Sequence, residues 1–200
     1  MKTLVLFLAL FVQSSSQGSN AIAGTPNCTG ITATFVDCFV TPFFTLVTPW
    51  SSGGFTYGPV RTSGSGAFAF NAGTKSLASN AITNWAGNQT SQIVYSQTTG
   101  IGVGGPAVRI AGSGAYVWQL AAGAVYTLTS AGVMTSIGGG CPAATPGDVY
   151  SLTATGFNLT CLDVTTGVSA VINDPGSTFA AGRPGFVLDG DMKVTKWGGS

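Results

Sequence analysis

Glycine breaks this chain every few residues, and that spacing constrains the fold more than any other feature. No segment beyond the first two dozen residues keeps a helical period. Between the glycines lie short runs rich in Val, Ile, Thr, Tyr and Phe, the residues that suit a pleated, half-buried surface. The runs predict strands over 31–36, 43–47, 66–70, 91–97, 106–111, 115–121, 125–129, 149–155, 158–164, 168–172 and 186–197. Several alternate with period two: Tyr116, Trp118 and Leu120 share one face, as do Tyr150, Leu152 and Ala154. Such alternation sets one face on a core and the other in water. Thr155-Gly156-Phe157 and Thr165-Thr166-Gly167 read as hairpin turns, so residues 149–172 are expected to form a three-stranded meander with Asn158 turned to solvent. About ten short antiparallel strands joined by glycine turns make an all-β, two-sheet jelly-roll sandwich.

The apolar run Leu4 to Val12 follows a single lysine and is too short to span a bilayer as a mature helix. It reads as a signal peptide over residues 1–23, with cleavage between 16 and 23, where Ser14/Ser16 and Ala21-Ile22-Ala23 supply small residues. Residues 24–200 then form one domain, exported to the extracellular space and without a membrane span. Export makes the four cysteines a disulfide framework with three connectivities open. Local pairing, Cys28–Cys38 and Cys141–Cys161, is the simplest, and each short loop is worth about 2–3 kcal/mol. Asn27, Asn88 and Asn158 begin glycosylation sequons, usable where the host glycosylates exported chains.

Charge excludes more than it suggests. Only 6% of residues are charged, the net charge is +1, and no run of Lys or Arg exists to hold a nucleic acid backbone or an anionic membrane. A near-neutral surface rich in Ser, Thr, Asn and Gln matches neutral polymers such as sugars, and equally serves plain solubility. The chain has no His and no Glu: its six acidic residues are Asp37, Asp148, Asp163, Asp174, Asp189 and Asp191. Ser-His-Asp and Cys-His machinery is therefore excluded. Asp189 and Asp191 stand at i, i+2, but their setting reads as a turn. Asp37, Asp189 and Asp191 are weak calcium candidates, the competing role for them being turn capping. No other cofactor is expected.

From about residue 34 onward the chain resembles the concanavalin A-like (laminin G-like) jelly-roll domains of secreted bacterial and phage-associated proteins. Six stretches carry the likeness in order and spacing: Asp37-Cys38-Phe39 with Trp50, Asn88-Gln89-Thr90-Ser91-Gln92, Gly105-Pro106-Ala107-Val108-Arg109-Ile110, Gly147-Asp148-Val149-Tyr150-Ser151-Leu152, Gly182-Arg183-Pro184-Gly185 and Trp197-Gly198-Gly199. The chain departs from the pattern at Asn88, which replaces an acid, at Thr166-Gly167, which replaces an Asn-Gly turn, and in its four added cysteines. The fold hosts lectins, glycanases, lyases and structural domains alike. Its glycanases use paired glutamates, which are missing here. Its lyases use Tyr and His: Ser91-Gln92-Ile93-Val94 is similar to their strand, but Val94 stands at the His position. Not an enzyme, then, is the expectation.

What remains is recognition of a glycan or polysaccharide. Sugar C–H faces stack on aromatics while amides and charged groups read the hydroxyls. The candidate platforms are Trp85, Tyr95, Trp118 and Tyr126, with Gln92 and Arg109 as polar partners and Asn84 and Gln119 nearby. Core packing competes with this role at each aromatic. Arg109, between Val108 and Ile110, is expected on the outward face. The alternative is a structural or adhesive surface subunit that self-associates into homo-oligomers through an open edge strand or apolar patch.

Overall fold

The computed structural model describes residues 31, 33, 35–39, 42–45, 50–51, 60–63, 66–69, 75–80, 85–97, 104–190 and 192–200. The signal segment, Asn27, Cys28, Asn84 and Asp191 lie outside the described residues. The strands, in chain order, are β1 Phe35–Asp37, β2 Pro42–Thr45, β3 Trp50–Ser51, β4 Val60–Ser63, β5 Ala67–Ala69, β6 Ser76–Asn80, β7 Gln89–Gln97 and β8 Gly105–Ala111. They continue with β9 Gly114–Gln119, β10 Ala124–Thr129, β11 Met134–Gly139, β12 Val149–Thr155, β13 Asn158–Asp163, β14 Ser169–Asn173, β15 Arg183–Leu188 and β16 Met192–Gly199. They form two antiparallel sheets. The nine-stranded sheet runs β14-β13-β12-β7-β16-β5-β4-β2, with β1 also on β16, and the seven-stranded sheet runs β11-β10-β9-β8-β15-β6-β3. This is the two-sheet antiparallel jelly roll that the glycine-punctuated pattern implies.

The expected meander is present in register. Thr155 pairs with Asn158 across Gly156-Phe157, where Gly156 takes φ 55°, a left-handed angle that glycine adopts without strain. The second turn is held by Asp163, whose Oδ1 accepts the N–H groups of Thr165 (2.9 Å) and Thr166 (3.2 Å). Asn158 is exposed, and its Oδ1 accepts from Asn173 Nδ2 at 2.8 Å. Cys141 and Cys161 are bonded, linking the segment after β11 in one sheet to β13 in the other. Cys38 is also disulfide-bonded.

Three expectations fail for physical reasons. The run 186–197 is two strands, because Gly190 at φ 61° turns the chain between β15 and β16. The run 115–121 stops at Gln119, and Leu120–Ala122 winds into one 3-10 turn closed by Gly123, whose N–H donates to the Leu120 carbonyl. The alternation in β9 does not divide core from water. Tyr116, Trp118 and Leu120 face the nine-stranded sheet, but Ala115 and Val117 on the other face are equally buried, in a second cluster with Leu77, Ala107, Ile110, Leu128 and Val187.

The inter-sheet core is aromatic. Trp50 meets Trp197 edge to face with ring centroids 4.7 Å apart, and Phe186 meets Trp50 at 5.3 Å. Such contacts add about 0.5–1.5 kcal/mol each beyond area burial. The buried indole N–H of Trp197 donates to Ser91 Oγ (3.0 Å), which donates to the Gly185 carbonyl at 2.5 Å. Trp50 Nε1 donates to Asp37 Oδ2 at 2.9 Å, and Phe39 N donates to Asp37 Oδ1 at the same distance. Both oxygens of Asp37 thus serve N–H donors, as in a turn cap. Asp189 lies beyond the opposite end of β16 from Trp197, the residue that Asp37 faces, and its carboxylate pairs with Lys75 at 3.8 Å.

Arg109 corrects another expectation. It sits at a bulge in β8 with φ 53°, where the registers to β9 and β15 both shift. The bulge turns its side chain away from the outward face and into a buried position, 3% exposed. Its guanidinium donates to three carbonyls, those of Gly87 (2.9 Å), Phe179 (3.0 Å) and Gly156 (2.7 Å). Its N–H donates to Gln89 Oε1, and Gln89 Nε2 donates to the carbonyls of Ala86 and Gly182. The pair fastens three loops at one end of the sandwich. Replacing Arg109 with Met should lower unfolding free energy by roughly 1–3 kcal/mol, since it leaves the buried Phe179 carbonyl without its donor and releases the loops at Gly87 and Gly156. Urea denaturation checks this through a lower midpoint at unchanged m-value.

Candidate functional site

A pocket of ≈ 560 Å³ opens at the end of the sandwich opposite Arg109. Its lining comes from Tyr95 near the end of β7, from the 3-10 turn and Gly123 after β9, and from Gly140, Cys141, Ala143 and Ala144 after β11. The second wall is held from behind. Cys141 is tied to β13 by the disulfide, and its N–H donates to the Gly123 carbonyl at 3.0 Å. The Tyr150 hydroxyl accepts the Thr145 N–H at 2.6 Å and reaches the Ala143 carbonyl at 3.4 Å. Tyr150 also stacks edge-on against Tyr95 (6.4 Å) and Trp118 (5.3 Å), so the aromatic floor is continuous with the core.

The described lining holds no carboxylate, amine or imidazole. Its one ionisable group is the Tyr95 phenol, whose pKa burial pushes up, with the neighbouring Tyr150 adding to the rise. The phenol is neutral at physiological pH. The other walls are Leu, Ala and Gly, which leave backbone groups within reach of a ligand and offer apolar surface between them. This lining offers a phenol hydroxyl, backbone groups and apolar surface.

The six expected sugar contacts do not assemble into one groove. Tyr95 alone reaches the pocket, as a mostly buried floor residue. Trp118 is fully buried between the sheets, because its face of β9 is the core face. Arg109 belongs to the loop clamp at the far end, and Trp85 sits half-buried in the segment that enters β7 there. Gln92 lies on the outer face of the nine-stranded sheet, opposite Ser151 and Gly198. Tyr126 is half-exposed on the outer face of the seven-stranded sheet, beside Val117 and Ser136 and on the same face as Gln119. The alanines and glycines that make the pocket walls give no chemical signal in the sequence.

A second titrating cluster lies at the clamp end. Tyr116 donates to Asp174 Oδ2 at 2.5 Å and accepts the Phe179 N–H at 3.0 Å. Burial raises the Asp174 carboxyl, but the hydrogen bonds from Tyr116 and Thr178 outweigh it and leave its pKa below the usual carboxylate value. Burial, reinforced by the bond to Asp174, raises Tyr116, and burial likewise raises Tyr150.

The class these features define is a two-sheet antiparallel jelly-roll β-sandwich with an end pocket whose described lining is non-ionic. No family model matches the sequence, and no curated protein resembles it closely enough to match. Three solved structures are similar to the chain. Carbohydrate-binding module CBM66 from Bacillus subtilis superposes with a TM-score of 0.52 at 17% identity, covering 78% of this chain and 99% of the module. The exoplasmic/lumenal domain of VIP36 gives 0.49 at 8% identity over 80% and 88%. The apo Crh5 transglycosylase gives 0.46 at 14% over 82% of each chain. At 17% identity the likeness to the module is one of fold.

The shifted groups set the pH range of stability. Asp174 is lowered in the folded state, so its contribution is present above the unfolded value of about 3.9 and lost as pH falls through the folded one. Tyr95, Tyr116 and Tyr150 are raised, so theirs is present below about pH 10 and lost as pH rises through the folded values. Thermal melts across pH should show a plateau between these limits. Asp174→Asn should flatten the acid limb and Tyr116→Phe the alkaline one.

Proposed function

We propose that the mature chain is a secreted, non-catalytic carbohydrate-binding module whose ligand enters the pocket beside Tyr95. The observation that carries this reading is the lining itself: a cavity within the usual 300–1,000 Å³ of ligand sites, walled by one neutral phenol and small residues. The fold shared with a carbohydrate-binding module over nearly that module's whole length supports it. So does a sequence with no Glu and no His, in which Asp37 and Asp163 cap turns, Asp189 pairs with Lys75 and Asp174 accepts from Tyr116. Export is supported by the leader-like start and by a disulfide of the kind that persists in oxidising compartments.

A glycan array followed by calorimetry tests the proposal. The wild-type chain should bind at least one neutral oligosaccharide. Ala122→Trp and Ala143→Trp, both at exposed pocket-wall positions, should each weaken that binding about tenfold or more, roughly 1.4 kcal/mol, without moving the melting temperature. An array without hits, or new reducing or unsaturated ends when the pure protein meets its polymer, would refute it.

One observation favours self-association as a second reading. Val164, Val168 and Val171 are exposed beside or on β14, the last strand of its sheet. Under this reading size-exclusion chromatography gives ordered oligomers that Val171→Lys dissolves.

A further inference from the structure

Two of the glycosylation sequons come together in the fold. Asn88-Gln89-Thr90 leads into β7, and Asn158-Leu159-Thr160 opens β13. β12 lies between them: Gln89 pairs with Ala154 on one side, and Asn158 pairs with Thr155 on the other. Two strand spacings therefore separate Asn88 from Asn158, about 10 Å. Gln89 and Leu159 are buried, so alternation sends Asn88 with Thr90, and Asn158 with Thr160, to the outer face of the nine-stranded sheet. The register agrees, because Thr90 pairs with Thr153 and Thr153 with Thr160.

Each asparagine is held by its side-chain carbonyl and open at its amide nitrogen. Asn88 Oδ1 accepts the Gly156 N–H at 3.1 Å, and Asn158 Oδ1 accepts from Asn173 Nδ2 at 2.8 Å. Among the described residues no hydrogen bond uses either Nδ2, and both side chains are exposed. The hairpin tip between them is fixed. Arg109 donates to the Gly156 carbonyl at 2.7 Å, and the Asp174 N–H donates to the Phe157 carbonyl at 2.9 Å. Phe157 is nevertheless 56% exposed at that tip. Val171, which pairs with Thr160 and so shares its face, is 61% exposed. The two asparagines thus border a rigid, water-facing apolar patch.

We propose that Asn88 and Asn158 carry N-linked oligosaccharides whose core sugars lie over Phe157 and Val171. The inference rests on the export in the reading above and adds what the secretory pathway attaches. The covalent step is a glycosyl transfer. The anomeric carbon of the donor sugar leaves a lipid-linked pyrophosphate and bonds to Nδ2, which gives up a proton; nothing is oxidised or reduced. The free Nδ2 atoms leave room for the attached sugar in the folded chain, and the C–H face of a pyranose stacks on an aromatic ring. Sugar at these positions stands at the clamp end, away from the pocket, and screens the outer face beside β14 from a second copy of the chain.

Peptide mapping of the protein purified from the medium of its own source cells tests this, before and after a peptide-N-glycosidase that leaves Asp where an Asn carried sugar. Both asparagines should be converted, with Asn27 read on its own peptide. Asn88→Gln and Asn158→Gln should each remove the mass of one glycan, and the double variant the mass of both. Stripped by the enzyme or by the double substitution, the chain should elute later from a hydrophobic-interaction column, and Phe157→Ser should reverse most of that shift. A secreted chain with either asparagine bare, or a stripped chain with unchanged elution, would overturn the inference and leave the export reading standing. A chain kept inside the cells and bare at both positions would remove the two together.

Discussion

One buried cation organises an entire end of the molecule. Arg109 has no carboxylate partner among its hydrogen bonds, which end on backbone carbonyls of Gly87, Gly156 and Phe179. Burying a guanidinium is costly, and here the cost is offset by satisfying carbonyls that would otherwise be stranded in irregular loops. The exchange works because the loops bring acceptors rather than side chains to the site. It also explains why β8 accepts a left-handed residue in mid-strand: the bulge aims the side chain at the loops, and Gln89 takes the N–H that the bulge removes from the ladder. The chain has placed its strongest polar cluster where it holds structure, at the end away from the pocket.

That division bears on function. A β-sandwich presents two ends and two outer faces. Here one end is clamped by Arg109 and the Tyr116–Asp174 pair, and one outer face, that of the seven-stranded sheet, is largely apolar and buried. The opposite end holds the pocket, whose described lining is non-ionic. Selectivity on such a lining comes from shape and stacking.

Much of this was legible in the sequence because local rules and tertiary context agree there. The 149–172 meander follows from alternation and two glycine turns, the Cys141–Cys161 bond from spacing, and the sandwich from glycine rhythm and the family-like stretches. The rest depends on context. β6 was missed because Ser76-Leu77-Ala78-Ser79-Asn80 looks like a polar loop, yet all of it is buried, with Ser79 bonded to Ser51. β11, Met134–Gly139, has too little apolar side chain to announce itself. Trp118 as platform or core is undecidable by period, since both faces of β9 are covered. A bulge such as that at Arg109 inverts a side chain with no mark in the local sequence. The pocket walls, mostly alanine and glycine, become a site only through what they fail to fill.

The bond between Cys141 and Cys161 has a mechanical consequence for that site. It closes residues 141–161 into a ring that carries β12 and part of β13 of the nine-stranded sheet, on the side where Gly138 and Ile172 bring the edge strands β11 and β14 together. Any outward swing of the Gly140–Ala144 wall must drag β13 and its two neighbouring strands with it. The wall is therefore stiff, and the Cys141 N–H bond to the Gly123 carbonyl extends that restraint to the turn at Leu120–Gly123, so both sides of the cavity mouth answer to one covalent tether.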